Sequence, residues 1–375
     1  MKIIKDGEPR VIMSNPHSRH SYFGWPTVAK LNNGRLAVVA SGFRLRHICP
    51  FGKTVISYSE NEGETYTLPA PVIDTVLDDR DGGIMTFGKS GVIVTSFNNA
   101  IEMQKAYATN FKSVSSHMAG GNDKSDYDMG YLNLITSEEE QKYLGSTFRI
   151  SLDNGVTFGP IHKSPVTSPH GPVELKDGSI LWVGRVFNPM DRQTGEDRIE
   201  AHRIDEDGHM EFVGAIDNVE DSTPSPLSCE PHTVVLDNGR LLTHIRVQRS
   251  SKDGERLFTT YQSESDDNGK TWTKPHPILS PMGGAPSHIL KTKSGLLVAT
   301  YGYREVPYGV KAMFSSDNGE TWNTDYDIVI NEFSGDIGYP STVELSDGSF
   351  LTVYYAHQAP DDSAVILQQK WRLEQ

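Results

Sequence analysis

Glu230 and Tyr339 are the two side chains of this sequence whose pairing would do chemistry. A carboxylate beside a phenol can take its proton and leave a nucleophilic oxygen, one exception to glycoside cleavage by two carboxylates. Asp81 offers a further carboxyl group. His170, His232 and His288, with His17, His20 and His357, are candidates for acid or base work near neutral pH, or for binding a metal ion. No His-x-His or His-x₃-His pair occurs, spacing assigns no metal, and none is expected. Trp25 is the aromatic best suited to stack on a sugar ring.

These residues lie far apart in the chain, so a repeated scaffold must gather them. Six stretches share one pattern of strand, Gly-bearing tight turn and second apolar strand, as in PTVAKLNNGRLAVVASGF (26–43), PHTVVLDNGRLLTHIRV (231–247) and PSTVELSDGSFLTVYYA (340–356). The turn glycines are Gly34, Gly91, Gly178, Gly239, Gly295 and Gly348, separated by 57, 87, 61, 56 and 53 residues. A period of roughly 55 residues suits a four-stranded blade, so the expectation is an all-β, six-bladed propeller of antiparallel blades, forming one domain over 1–375. The 87-residue gap implies an insertion at about 101–144, which reads as a long loop with one helical turn at SEEEQKYLG and which would cover or shape a site. Aligning the repeats puts Trp25, Asp81, Pro169, Glu230, Ala285 (or Gly284) and Tyr339 at the opening of the innermost strands, facing the central funnel. The C-terminal QQKWRLEQ is expected to pair with the strand around Lys2–Ile12 and close the ring.

A second template, Ser-x-Asp/Asn-x-Gly-x-Thr-aromatic, recurs at Ser59–Tyr66, Ser151–Phe158, Ser265–Trp272 and Ser315–Trp322. It has the chemistry of a turn, with the Asp side chain bonding backbone N–H groups and the aromatic anchoring the hairpin. These copies look like the Asp boxes of the sialidase family, and the chain resembles that family over nearly its whole length. The resemblance implies that Glu230 and Tyr339 are the base and nucleophile, Tyr339 standing in Gly338-Tyr339-Pro340-Ser341. It implies that Arg246 and Arg304 grip an anionic substituent, and that Arg44 and Asp81 hold a ring hydroxyl. Two features depart from the family. The first blade opens Phe23-Gly24-Trp25-Pro26, without the arginine expected there, and the segment after Arg44 reads LRHICPFGK, without the expected acidic residue. Arg46 stands where charge could be restored, and His47 or Asp81 is left as the general acid.

The expected activity is therefore an exo-acting glycoside hydrolase that releases a terminal acidic or modified sugar and needs no cofactor, with carbohydrate as its partner. His232 and His288 would line the substrate site. A lyase acting on uronic-acid oligosaccharides and a non-catalytic glycan-binding propeller are the alternatives. The net charge of −14 argues against a nucleic-acid backbone or an anionic membrane as partner. Cys49 and Cys229 read as reduced thiols, and the N-terminal MKIIKDGEPRVIMSN lacks the apolar stretch of a signal peptide. A cytoplasmic location is the expectation that follows.

Overall fold

The computed structural model describes residues 1–114, 121–190, 198–219, 227–250, 256–279, 283–284, 286–331, 333–360 and 362–374. Six antiparallel sheets stand in a ring as the blades of a propeller. Blade 1 runs from its inner to its outer strand as Tyr22–Lys30, Leu36–Arg44, Lys53–Ser59 and Ala70–Ile73. Blades 2, 4 and 5 repeat that order, with inner strands Arg80–Phe87, Leu227–Val235 and Ser287–Lys291. In blade 3 the inner strand is split into Val166–Thr167 and Val173–Glu174, both paired to Ile180–Val186. Ala285, one of the two residues aligned at the opening of blade 5, lies outside the described residues.

Blade 6 is built from both chain ends. Its strands Gly338–Glu344, Phe350–Ala356 and Val365–Glu374 are completed by Lys2–Met13, with Lys2 opposite Glu374 and Met13 opposite Ile366. This is the closure expected from the terminal sequence, and it pairs a sheet edge that would otherwise stay open.

Apolar clusters fill the space between each neighbouring pair of blades. Leu31, Val39 and Ile56 of blade 1 meet Ile84 and Val94 of blade 2, and the same arrangement recurs around the ring to Val353 and Tyr355 against Val28 and Val38. Each central strand is covered on both faces, so the strands read as near-continuous apolar runs rather than strict alternation. The Ser-x-Asp/Asn turns lock the hairpins between third and fourth strands. Asp317 Oδ1 accepts from the Thr321 N–H at 3.0 Å, and Ser315 Oγ accepts from the Gly319 N–H at 2.8 Å. The aromatic at the end of a turn can reach the preceding blade: Trp322 Nε1 donates to Gln262 Oε1, and Tyr66 Oη donates to Gln368 Oε1.

The insertion differs from its expected form. It contains three helices, α1 (Ile101–Val114), α2 (Gly121–Leu132) and α3 (Ser137–Tyr143), rather than a loop with one helical turn. Only α3 advertises itself locally, through a capping box between Thr136 and Glu139. The α2 sequence GNDKSDYDMGYL has poor intrinsic propensity. Its helix is fixed by tertiary contacts: a buried Arg46–Asp128 ion pair, Tyr131 Oη donating to the Val76 carbonyl, and Phe51 against the Tyr127 and Tyr131 rings.

Candidate active site

A cavity of about 380 Å³ draws its lining from all six blades and from Met103 of α1. Trp25, Asp81, Glu230 and Tyr339 reach it through one backbone device. Their φ angles are 54, 50, 50 and 47°, in the left-handed region. At the same places the pairing of inner and second strands slips, between Gly24 and Thr27, Arg80 and Gly83, Cys229 and His232, and Gly338 and Ser341. A left-handed non-glycine residue costs roughly 1–2 kcal/mol. Four in equivalent positions mark strain held for a purpose, and bulges of this kind re-aim side chains.

The bulges bring Glu230 and Tyr339 together across the channel. Tyr339 Oη donates to Glu230 Oε1 at 2.5 Å, and Arg246 Nη1 donates to Glu230 Oε2 at 2.6 Å and to Tyr339 Oη at 3.1 Å. Arg246 Nη2 donates to Gln248 Oε1 at 2.8 Å. Burial, followed by the Glu230 charge, holds the Tyr339 phenol well above its ordinary pKa, against the pull of Arg246 and Arg304. The resting phenol is thus protonated, with its proton directed at a carboxylate. Burial opposes the charge on Arg246, but Glu230 and Tyr339 outweigh it and keep the guanidinium ionised.

Arg304 lies over the Tyr339 ring, with Nε donating to the Ile337 carbonyl at 3.2 Å and Nη2 to Tyr355 Oη at 3.4 Å. Asp81 is buried, and burial pushes its carboxyl up to about 6, with Arg80 opposing. His47 sits at the rim with its side chain 43 % exposed. Its loop is pinned from behind: Arg44 Nη2 donates to the His47 carbonyl at 2.8 Å and pairs with Asp78 Oδ1 at 2.6 Å, both side chains fully buried. Gly52 is required in that loop, because a Cβ there would fall 2.1 Å from Arg44 Nη1.

Several expected site residues take other places. Arg44 does not line the cavity, since its guanidinium is committed to Asp78, Ser41 and the His47 carbonyl; it positions the loop rather than a sugar hydroxyl. Trp25 lines the cavity but is 1 % exposed, covered by Arg80 and Arg44 at 4.5 and 5.0 Å from its ring and by the His47 edge at 4.8 Å. It is a packed wall, not an open stacking platform. His232 and His288 do not line the cavity either. They form a cluster with His170, ring centroids 4.4–5.2 Å apart, on the inner strands of blades 4 and 5 and the break in that of blade 3. Their Nδ1 atoms accept from the Ile289 and Thr342 N–H groups, which places their protons on Nε2 and makes those atoms unfit to bind a metal. Among the described residues no set of three ligating side chains could hold an ion.

Other lining residues were not anticipated from the sequence: Arg80, Arg185, Gln248, Phe258 and the blade 3 segment Phe187–Asn188. Repeat alignment carries the signal for one of them, because Arg185 follows Gly178 at the same spacing as Arg246 follows Gly239. Gln248 shares a strand face with Arg246 at the two-residue period. Four arginines and two carboxylates thus line the pocket of a chain whose net charge is −14.

Fold and cavity define a six-bladed propeller with a polar, cationic pocket at its axis, and comparison with known proteins places it within a family. Residues 130–353, more than half of the chain, match the BNR repeat-like domain, and the chain belongs to that family. No curated protein matches it. Among solved structures, a protein of unknown function from Dyadobacter fermentans superposes with TM-score 0.72 at 18 % identity, covering 99 % of each chain. The intramolecular trans-sialidase from Ruminococcus gnavus superposes with TM-score 0.66 at 12 % identity, covering 97 % of each chain. The alpha-L-arabinanase of Penicillium chrysogenum superposes with TM-score 0.62 at 12 % identity, covering 99 % of this chain and 98 % of its own. At such identities the likeness establishes the shared fold, and the chemistry must be argued from the site.

Proposed function

We propose that the protein is an exo-acting, retaining glycoside hydrolase that releases a terminal acidic or modified sugar. The observation that carries this reading is the Tyr339–Glu230–Arg246 constellation, held together at 2.5–3.1 Å with Tyr339 and Glu230 on strained bulges of two strands. Tyr339 Oη attacks the anomeric carbon as its proton passes to Glu230, and the glycosidic C–O bond breaks. The departing oxygen takes a proton from an acid, the role for which Asp81 and His47 both line the cavity. Water then attacks the anomeric carbon and returns a proton to the spent acid, Tyr339 leaves and recovers its proton from Glu230, and configuration is retained. Arg246 steadies the phenolate oxygen throughout.

The local surplus of guanidiniums supports an anionic substituent on the sugar, with Arg246 and Arg304 nearest the nucleophile. The volume, near the lower end of the usual range of about 300–1,000 Å³, suits one terminal residue and hence exo action. A lyase would draw on histidines at the mouth, and of His47, His170, His232 and His288 only His47 lines the cavity. The test is turnover of fluorogenic α-sialosides, α-L-arabinofuranosides and β-glucuronides by the purified protein and by Tyr339→Phe. Turnover of an acidic glycoside, reduced by about 10³-fold or more in the variant, is expected. A Tyr339→Phe enzyme as active as the wild type would sink the proposal.

A further inference from the structure

The opening of blade 1 lacks the arginine that the family resemblance leads one to expect, and the structure shows what occupies its corner. A Cβ at Gly24 would meet the Tyr22 ring at 3.3 Å and the Tyr355 ring at 3.6 Å. Both tyrosines donate to Asp336, Tyr22 Oη to Oδ2 and Tyr355 Oη to Oδ1, each at 2.9 Å. His357 Nε2 lies 3.1 Å from Oδ2, and its Nδ1 lies 2.6 Å from the Asp362 carbonyl. His47 completes the group: its Nδ1 faces Asp336 Oδ1 at 3.6 Å and Tyr22 Oη at 3.5 Å. A corner expected to be cationic therefore holds a carboxylate with two imidazoles and two phenols around it.

We propose that His47 is the proton donor to the departing aglycone and that Asp336, facing its Nδ1, is its positioning residue. The inference rests on the glycosidase reading and names the acid which that reading leaves open. Three observations favour His47 over Asp81. An aglycone leaves toward solvent, and His47 is half-exposed at the rim, whereas Asp81 is 7 % exposed and faces Arg80 at 3.6 Å. The His47 ring packs perpendicular to Trp25 at 4.8 Å, and Tyr339 lies 6.5 Å from the same indole, so donor and nucleophile share one wall of the cavity. A carboxylate 3.6 Å from Nδ1 favours a proton there and leaves Nε2 of the imidazolium to give up the transferred proton. In the reaction Nε2–H gives its proton to the leaving oxygen; in the second half the bare Nε2 takes one from the attacking water, so protons balance over the cycle.

The groups facing this imidazole are Asp336 and Tyr22 at Nδ1, the Trp25 ring beside it, and the Arg44 and Arg80 guanidiniums behind its carbonyl, with His357 and Tyr355 acting through Asp336. Burial lowers the His47 pKa most and the arginines add to that, while Asp336 raises it. Removing the Asp336 charge should move the basic limb of the kcat/KM profile to lower pH, which a purely structural role would not do.

The experiment compares wild type, His47→Gln, Asp336→Asn and Asp81→Asn on two glycosides of the same sugar, one with an acidic aryl aglycone and one with a sugar aglycone. His47→Gln should lose about 10²–10⁴-fold on the sugar aglycone and far less on the aryl one. Asp336→Asn should shift the basic limb downward, and Asp81→Asn should lose equally on both substrates. Equal losses by His47→Gln on the two substrates, leaving-group discrimination appearing in Asp81→Asn instead, or an unmoved limb in Asp336→Asn would overturn the assignment while leaving the glycosidase reading intact. Absence of turnover by the wild type on every glycoside would overturn both. Histidine NMR titration provides a readout without substrate: the His47 pKa should fall in Asp336→Asn, and an unchanged value refutes the positioning role.

Discussion

At the scale of single residues, the site is an arrangement of charges that hold one another in place. Arg246 is bonded at once to the base, the nucleophile and Gln248, so its loss does more than remove a ligand contact. Arg246→Met should lower kcat by about 10²-fold or more, because the developing phenolate and the half-buried Glu230 charge both lose their counterion. Arg246→Lys should recover little, since a point charge cannot replace a guanidinium fork. Steady-state kinetics beside a melting curve separates this from unfolding. Of the residues lining the cavity, Glu230, Tyr339 and Asp81 were legible because each opens an inner strand of the repeat, and Arg246 and Arg304 through the family resemblance. Asp336 was not legible. It sits in the connection before Gly338–Glu344, outside the repeat, and acquires meaning only when His47, Tyr22 and His357 arrive from other elements.

Elements follow a similar division. Hairpin strands announce themselves through alternating turns and apolar runs, whereas α2 owes its form to what it touches, and no local pattern could reveal it. Asp128→Ala removes one partner of the buried Arg46 and weakens the compensation of its charge. Hydrogen exchange in the described part of α2 should accelerate strongly while the blades keep their protection; uniform exchange across the molecule would contradict the role given to the pair. The buried histidines set a second element-level property. Burial holds His170 and His288 well below the ordinary 6.5, and His232 at about 3. In the unfolded chain these imidazoles bind protons as pH falls below about 6.5, whereas in the fold they do not, so stability is present above that pH and drains away beneath it. Each should contribute about 1 kcal/mol of destabilisation between pH 6.5 and 5.5. Urea titrations at the two pH values check this, and His288→Asn should flatten the dependence.

The whole molecule is a closed ring whose cavity takes lining residues from every blade, so ring closure and site integrity are coupled. Closure depends on strand Val365–Glu374, where Trp371 is fully buried, stacks on Phe350 at 4.5 Å and donates from Nε1 to Thr352 Oγ1 at 2.8 Å. Trp371→Ala should cost about 3–5 kcal/mol in denaturant unfolding and, by opening blade 6, reduce activity although it touches nothing in the cavity. The repeat period foretold the ring and its closure. The location of four arginines around one axial cavity depended on how the blades meet, which no single repeat encodes. The account as a whole depends on Tyr339 becoming covalently linked to the sugar. The most direct measurement quenches the enzyme with acid during turnover of an activated fluorinated glycoside and weighs its proteolytic peptides. A glycosyl adduct on the peptide carrying Tyr339, absent from Tyr339→Phe, is the expected result. An adduct on another residue, or a first product of inverted configuration, would contradict the account.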